Sequence, residues 1–334
     1  MELGLLSNEA LNPHVNWTTL SQPLFRAMSE RPNVRTIAPP PMRRDRLGDW
    51  KKIWSEARRC DTFFWFQSAA RPEAPVHLAS FLNPFARRAA YAFDPWRHRI
   101  QKVGLAATVQ RLDPCFISYQ EAINELKPRF PKAKFEWLPF GIDTDVFYPR
   151  PEGKSVFAFW MGRRHEPLHE ALLAYCEARG LKYLYSNDGR YAPGDLGQVA
   201  SSAEYFIVTP PDAKRSGGYS PLVMRYLEGL AAGARLLGTL PKSGEYERLL
   251  PLDAICQVAE DGSDLAAKLD ADRNDPDRWR AVEAAGALVR EAHSWRRRGE
   301  QIYDRLATGA PLVFPPPPSA GSVPGPTRDR ITTA

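Results

Sequence analysis

The run from Ser216 to Gly238, SGGYSPLVMRYLEGLAAGARLLG, constrains the chain most, because it reads as a glycine loop, a short helix, a glycine stop and a buried strand. Ser220 is of the type that caps a helix start, Pro221 suits the first helical position, and Gly233 can take the left-handed conformation that ends a helix. A helix of about three turns is therefore expected over Pro221 to Ala232. At helical spacing Leu222, Val223, Tyr226, Leu227, Leu230 and Ala231 form an apolar surface, while Arg225, Glu228, Gly229 and Ala232 share a separate narrow stripe.

Gly217, Gly218 and Tyr219 let the backbone ahead of that helix come close to a guest, and unpaired amides at a helix start favour an anion such as a phosphate group. Glu228 is then placed to accept hydrogen bonds from sugar hydroxyls. The same residues also fit a plainer arrangement, in which Arg225 and Glu228 are an i,i+3 ion pair on a solvated face and the glycines only make a turn.

The rest of the chain alternates strands with helices, the pattern of α/β units. Strands are expected at Glu2–Ser7, Asn33–Ala38, Thr62–Gln67, Arg88–Phe93, Cys115–Ser118, Ser155–Met161, Lys182–Ser186, Ala203–Thr209 and Arg235–Leu240. Helices are expected at Trp17–Ser29, Leu47–Arg59, Val76–Leu82, Ile100–Arg111, Tyr119–Arg129, Leu168–Arg179, Pro276–Val289 and Glu291–Leu306. A length of 334 residues favours two domains. The polar run PRPEGK supplies a linker, dividing the chain into 1–149, 150–309 and a proline-rich flexible tail, 310–334.

The segment FEWLPFGIDTDVFYP, Phe135 to Pro149, is a strand stopped by Pro139 and turned at Gly141. Asp143 and Thr144 bond the local backbone there and Phe147 anchors the turn, so Asp143 is structural. It resembles the interdomain segment of retaining GT-B glycosyltransferases. The Arg225-x-x-Glu228 spacing before Gly233 resembles the donor-binding helix of a bacterial branch of the same superfamily, with Ser220 where the fuller Glu-x7-Glu pattern has its first glutamate. Gly162 and Arg163, after the strand Ser155–Met161, resemble the donor-phosphate corner of these enzymes. The lysine of that corner is absent, and Arg164 or His165 would supply the second positive charge.

The resemblance implies an α/β GT-B fold, two Rossmann-like domains facing across a cleft, with a closing C-terminal helix that packs back toward the first domain. It also implies transfer of a sugar from a nucleoside-diphosphate sugar to a glycan, lipid-linked or small-molecule acceptor. Arg163 and Glu228 would be catalytic, with Gly162, Arg163, Arg164, Gly217, Gly218, Tyr219, Ser220, Arg225 and Glu228 around the donor and Lys214 and Arg215 nearby. His14, Asn16 and Asp94 are the acceptor-side candidates. No cofactor is expected beyond the nucleotide-sugar co-substrate, and no metal. Ser220 in place of a glutamate leaves open a catalytically silent nucleotide-sugar-binding or interaction protein.

A net charge of +6 invites a polyanion, but the arginine doublets are dispersed and no nucleic-acid motif accompanies them. The four cysteines form no C-x-x-C pair, so neither a zinc site nor a disulfide framework is indicated. No secretion signal or apolar span is evident, so a cytoplasmic protein is expected. The helix Leu47–Arg59 carries Trp50, Ile53 and Trp54 between basic residues, a pattern that suits either a sheet or a peripheral contact with the inner face of the membrane.

Overall fold

The computed structural model describes residues 1–6, 18–37, 47–68, 82–186 and 191–317. His14, Asn16, most of the expected helix Val76–Leu82, the turn at Asn187–Gly189 and residues 318–334 lie outside the described residues.

Two parallel sheets organise the chain. The first has strands β1 (Leu3–Leu6), β2 (Val34–Ile37), β3 (Thr62–Ser68), β4 (Arg87–Phe93), β5 (Leu112–Ile117) and β6 (Phe135–Trp137) in the order β2-β1-β3-β4-β5-β6. The second has β7 (Val156–Met161), β8 (Tyr183–Ser186), β9 (Ala203–Val208), β10 (Arg235–Gly238) and β11 (Ile255–Gln257) in the order β11-β10-β9-β7-β8. Parallel strands need crossovers that cover both faces of a sheet, which is why TFFWF in β3 is continuously apolar. Phe63, Phe64 and Trp65 are fully buried.

The crossover helices of the first unit include α1 (Thr18–Ser29), α2 (Leu47–Ala57), α3 (Ile100–Val109) and α4 (Gln120–Arg129). On α2, Ala57 is buried while Trp50 and Ile53 pack half-buried against the core, so these residues serve the sheet, whereas Trp54 is 41% exposed. Helices α5 (Glu166–Arg179), α6 (Pro193–Ser202), α7 (Ala213–Ser216), α8 (Met224–Ala231), α9 (Glu245–Leu249), α10 (Leu265–Arg273) and α11 (Arg278–Ala292) serve the second unit.

The last helix, α12 (Trp295–Thr308), returns to the first unit. Ser294 caps it by accepting from the Arg297 amide at 3.2 Å. Ile142 and Trp295 tie the interdomain segment to its start: Ile142 N donates to the His293 carbonyl and Trp295 N to the Ile142 carbonyl, each at 2.9 Å. Gly299 then lets α12 lie close on α1, since a Cβ there would stand 3.2 Å from the side chains of Ala27 and Met28. At its far end Arg305 grips both oxygens of Glu136 with the Nε–Nη2 edge of its guanidinium, and Arg87 Nη1 donates to the Leu306 carbonyl at 3.1 Å.

A buried arginine locks this crossing. Arg298 Nε donates to the Pro139 carbonyl at 2.8 Å, Nη1 to Gln301 Oε1 at 2.9 Å, and Nη2 to His293 Nδ1 at 2.7 Å. Arginine has no acceptor, so His293 Nδ1 must be the unprotonated nitrogen. Asp143 plays the local role expected of it, accepting from the Asp145 amide at 3.0 Å, and Phe147 is buried.

The proline-rich tail departs from expectation at its start. Phe314 packs edge-on against Trp137 at 5.3 Å between ring centres, and Gln301 Nε2 donates to the Val313 carbonyl at 2.7 Å. The apolar residues of PLVF hold this part down, which an average over the whole tail conceals.

Candidate functional site

In the second sheet the chain leaves β7 for β8 on one side and returns to β9 on the other, so the strand order reverses between β7 and β9. Ligands of open α/β sheets bind outside the carboxyl ends of the strands at such a point. Gly162 stands there at the end of β7 with φ of +84°, and its amide donates to the Ser186 carbonyl at 2.7 Å. Its missing side chain has a purpose, because a Cβ would stand 2.5 Å from Arg225 Nη1. That nitrogen donates to the carbonyl of Met161.

Helix α8 therefore turns its narrow stripe toward the end of β7. Gly229 permits the approach, since a Cβ there would lie within 2.8 Å of Phe206 and Leu236. Arg225 Nε lies 3.3 Å from Glu228 Oε2, the i,i+3 pair foreseen as the plainer arrangement, but the face is not solvated: Glu228 is buried. Its Oε2 has no aligned hydrogen bond. Burial pushes the Glu228 carboxyl above its ordinary pKa, and Arg225 opposes that rise. A buried acceptor without an aligned donor is costly in a folded chain and suits a ligand hydroxyl.

Arg163 is exposed, and its carbonyl accepts from Trp160 Nε1 at 3.1 Å. Arg164 Nε donates to Glu166 Oε1 at 2.8 Å and its guanidinium lies over the Tyr185 ring at 5.1 Å. Arg225 also stands at this corner, against Gly162 and the Met161 carbonyl. The bond of Arg225 to Met161 is a long-range contact that helical spacing does not reveal.

The loop before α8 requires a correction. The helix begins at Met224, not Pro221, and its N-cap position is Val223, with no side-chain cap. Ser220 is no cap: its Oγ accepts from the Lys242 amide at 2.9 Å. The amides offered to phosphate are also engaged. Ser220 N donates to Glu121 Oε2 at 2.8 Å, and Leu222 N to Glu245 Oε2 at 2.7 Å. Neither glutamate was singled out from sequence, although each occupies the first turn of a helix.

Lys214 and Arg215 lie on α7, capped by Asp212, whose Oδ1 accepts from the Arg215 amide at 3.1 Å. Gly217 and Gly218 follow with φ of +71° and +91°. Gly217 lies where a Cβ would stand 2.6 Å from that of Arg97 in the first unit. Tyr219 is buried, and burial raises its hydroxyl pKa.

In the first unit, Asp94 follows β4 with φ of +52° and accepts from the Tyr119 hydroxyl at 2.6 Å. Burial raises the carboxyl, while the Tyr119 bond and Arg99 hold it back. Tyr119 is followed by Gln120, whose amide donates to Glu245, so Asp94 borders the same inter-unit contact. Among the described residues no cluster of histidine, cysteine, aspartate or glutamate is placed to hold a metal ion. The four cysteines are buried and free.

Comparison with known proteins places this geometry. Residues 164–304 match a family model described as glycosyl transferase-like. A putative UDP-N-acetylglucosamine 2-epimerase from Listeria monocytogenes is 12% identical, with 93% of this chain and 98% of that one covered and a TM-score of 0.52. A chain of the glycosylation associate protein (Gap123) complex from Streptococcus agalactiae is 10% identical, with a TM-score of 0.51; 78% of this chain is covered but only 58% of that one. The glycosyltransferase SnogD from Streptomyces nogalater is 14% identical, with 91% and 98% covered and a TM-score of 0.44. At such identities the first two structures speak for the fold alone. No curated protein matches the sequence. The fold is α/β, two parallel sheets with interleaved helices, and its second unit carries the glycosyl transferase-like match.

Proposed function

We propose that this chain transfers a sugar, with retention, from a nucleoside-diphosphate sugar to a glycan, lipid-linked or small-molecule acceptor. The observation that carries the reading is the buried Oε2 of Glu228, ion-paired with Arg225 but without an aligned hydrogen bond, on the stripe of α8 that meets the end of β7, after which the exposed Arg163 follows. Glu228 accepts from the ribose hydroxyls of the donor. Arg163 and Arg225 hold the diphosphate and stabilise the charge that develops on the leaving nucleotide. Gly217 and Gly218 let the backbone come close to the donor diphosphate, and Asp94 serves the acceptor side together with His14 and Asn16. No metal takes part.

Release of nucleotide from a panel of UDP-, dTDP-, GDP- and ADP-sugars, with and without acceptor mixtures, tests the proposal. Turnover of one donor that Arg163→Ala abolishes supports it. Tight binding without turnover, whatever the acceptor, favours the second reading, a nucleotide-sugar-binding or interaction module. Two observations favour that second reading: Ser220 stands where a sugar-contacting glutamate would, and the nearby amides are occupied by Glu121 and Glu245. The likeness to a glycosylation associate protein also suits it.

A further inference from the structure

The proposed transfer leaves unused the most enclosed carboxylate near the cleft. Glu245 is only 1% exposed, and both of its oxygens accept from backbone amides that belong to different units. Oε1 takes Gln120 N at 2.5 Å, at the start of α4 in the first unit, and Oε2 takes Leu222 N at 2.7 Å, in the loop that leads into α8. A second bridge runs the opposite way. Glu121, in the first turn of α4, reaches across to Ser220 N at 2.8 Å.

We infer that Glu245, assisted by Glu121, is a positioning residue that fixes the loop Gly217–Val223 against the first unit and so sets the aim of α8 at the donor. The argument is one of satisfaction. A carboxylate removed from water is tolerated when its oxygens are met by donors, and the start of a helix is a favourable place for negative charge. Drawing the two units apart removes one amide from Glu245 and strips Ser220 N of its acceptor, leaving buried polar groups unpaired. The loop is thereby held in the shape in which Arg225 meets Met161 only while the units stay together. Ser220 contributes in another way, its Oγ and carbonyl receiving the amides of Lys242 and Ser243 at 2.9 and 3.2 Å, which ties the loop to the segment that carries Glu245.

This inference rests on reading the loop as the donor loop, and its test separates the two. Above about pH 7, where the parent holds the ionised carboxylate, Glu245→Gln keeps the shape but turns an NH2 group toward one amide, so a donor faces a donor. Amide hydrogen exchange in the nucleotide-free protein is expected to quicken at least tenfold at Gln120 or Leu222 in this variant, and at Ser220 in Glu121→Gln, with β4 and β9 unchanged. Unchanged exchange at these amides overturns the inference. In calorimetry against UDP, dTDP, GDP and ADP, the nucleotide the parent binds best is expected to bind Glu245→Gln about tenfold more weakly. Equal affinity also overturns the inference. A parent that binds none of the four overturns the donor reading instead, and exchange alone then decides the bridge. Should Glu245→Gln fail to fold, Glu121→Gln, whose carboxylate is only half-buried, carries both measurements through Ser220.

Discussion

Arg225 Nη1 donates to the carbonyl of Met161, which brings the Arg225–Glu228 stripe of α8 and the end of β7 into one corner although 64 positions separate the two residues. The guanidinium occupies the space over Gly162 that a side chain would otherwise fill.

Gly162→Ala is therefore expected to act twice. At φ of +84° an alanine is strained by about 1–2 kcal/mol, and its methyl group pushes Arg225 away from Met161. Denaturant melts are expected to show that loss of stability, and nucleotide affinity is expected to fall together with it. A variant of parental stability and affinity would mean that Arg225 does not need this seat.

The second unit is held by an ion pair that bears on folding rather than on the site. Arg235 Nε reaches both oxygens of Asp272, at 2.7 and 2.8 Å, with each side chain only 7% exposed, and Tyr205 donates to the same carboxylate at 2.8 Å. Asp272→Ala leaves a buried guanidinium uncompensated and is expected to cost about 3–5 kcal/mol. Replacing Arg235 by Met in the same chain is expected to recover part of that loss. Urea denaturation of the two variants checks the order, and an Asp272→Ala loss below about 1 kcal/mol contradicts it.

Stability should carry two opposing pH dependences. Burial pushes Glu245 from 4.5 up to about 7, with the Gln120 and Leu222 amides opposing. The folded chain holds this proton where the unfolded one has lost it, so the contribution is full below about pH 4.5 and is lost as pH rises through about 7. Burial, with Arg298 beside it, pushes His293 from 6.5 down to about 3, so the unfolded chain takes up the extra proton and stability is lost as pH falls below about 6.5. Between these limits the parent should change little. Denaturation from pH 5 to 8 is expected to show the acid loss alone in Glu245→Gln and the alkaline loss alone in His293→Gln. Parallel profiles for all three proteins would contradict the assignment.

The fold was legible because its strands announce themselves locally: TFFWFQ, SVFAFWM and AEYFIVT lie within a residue or two of β3, β7 and β9. The stop at Gly233, with φ of +75°, was equally local. The start of α8 was not. Ser220 and Pro221 have the side chains of a helix start, yet Ser220 is bonded to Lys242 and Glu121, and those partners lie 22 and 99 positions away. The pairing of Arg164 with Glu166 at the head of α5 is local, two positions apart. The tail was misjudged over Leu312–Phe314 because Trp137, which receives Phe314, is remote in sequence.

The account stands or falls on Glu228 as the acceptor for the donor's ribose. Nucleoside diphosphate affinity measured by calorimetry on folded Glu228→Ala tests it most directly. Loss of a charged hydrogen-bond acceptor should cost about 1.5–3 kcal/mol, or roughly ten- to a hundredfold in affinity, with Glu228→Gln losing less because its amide oxygen still accepts. Binding by folded Glu228→Ala as tight as that of the parent would contradict the account and leave Glu228 as no more than the buried partner of Arg225.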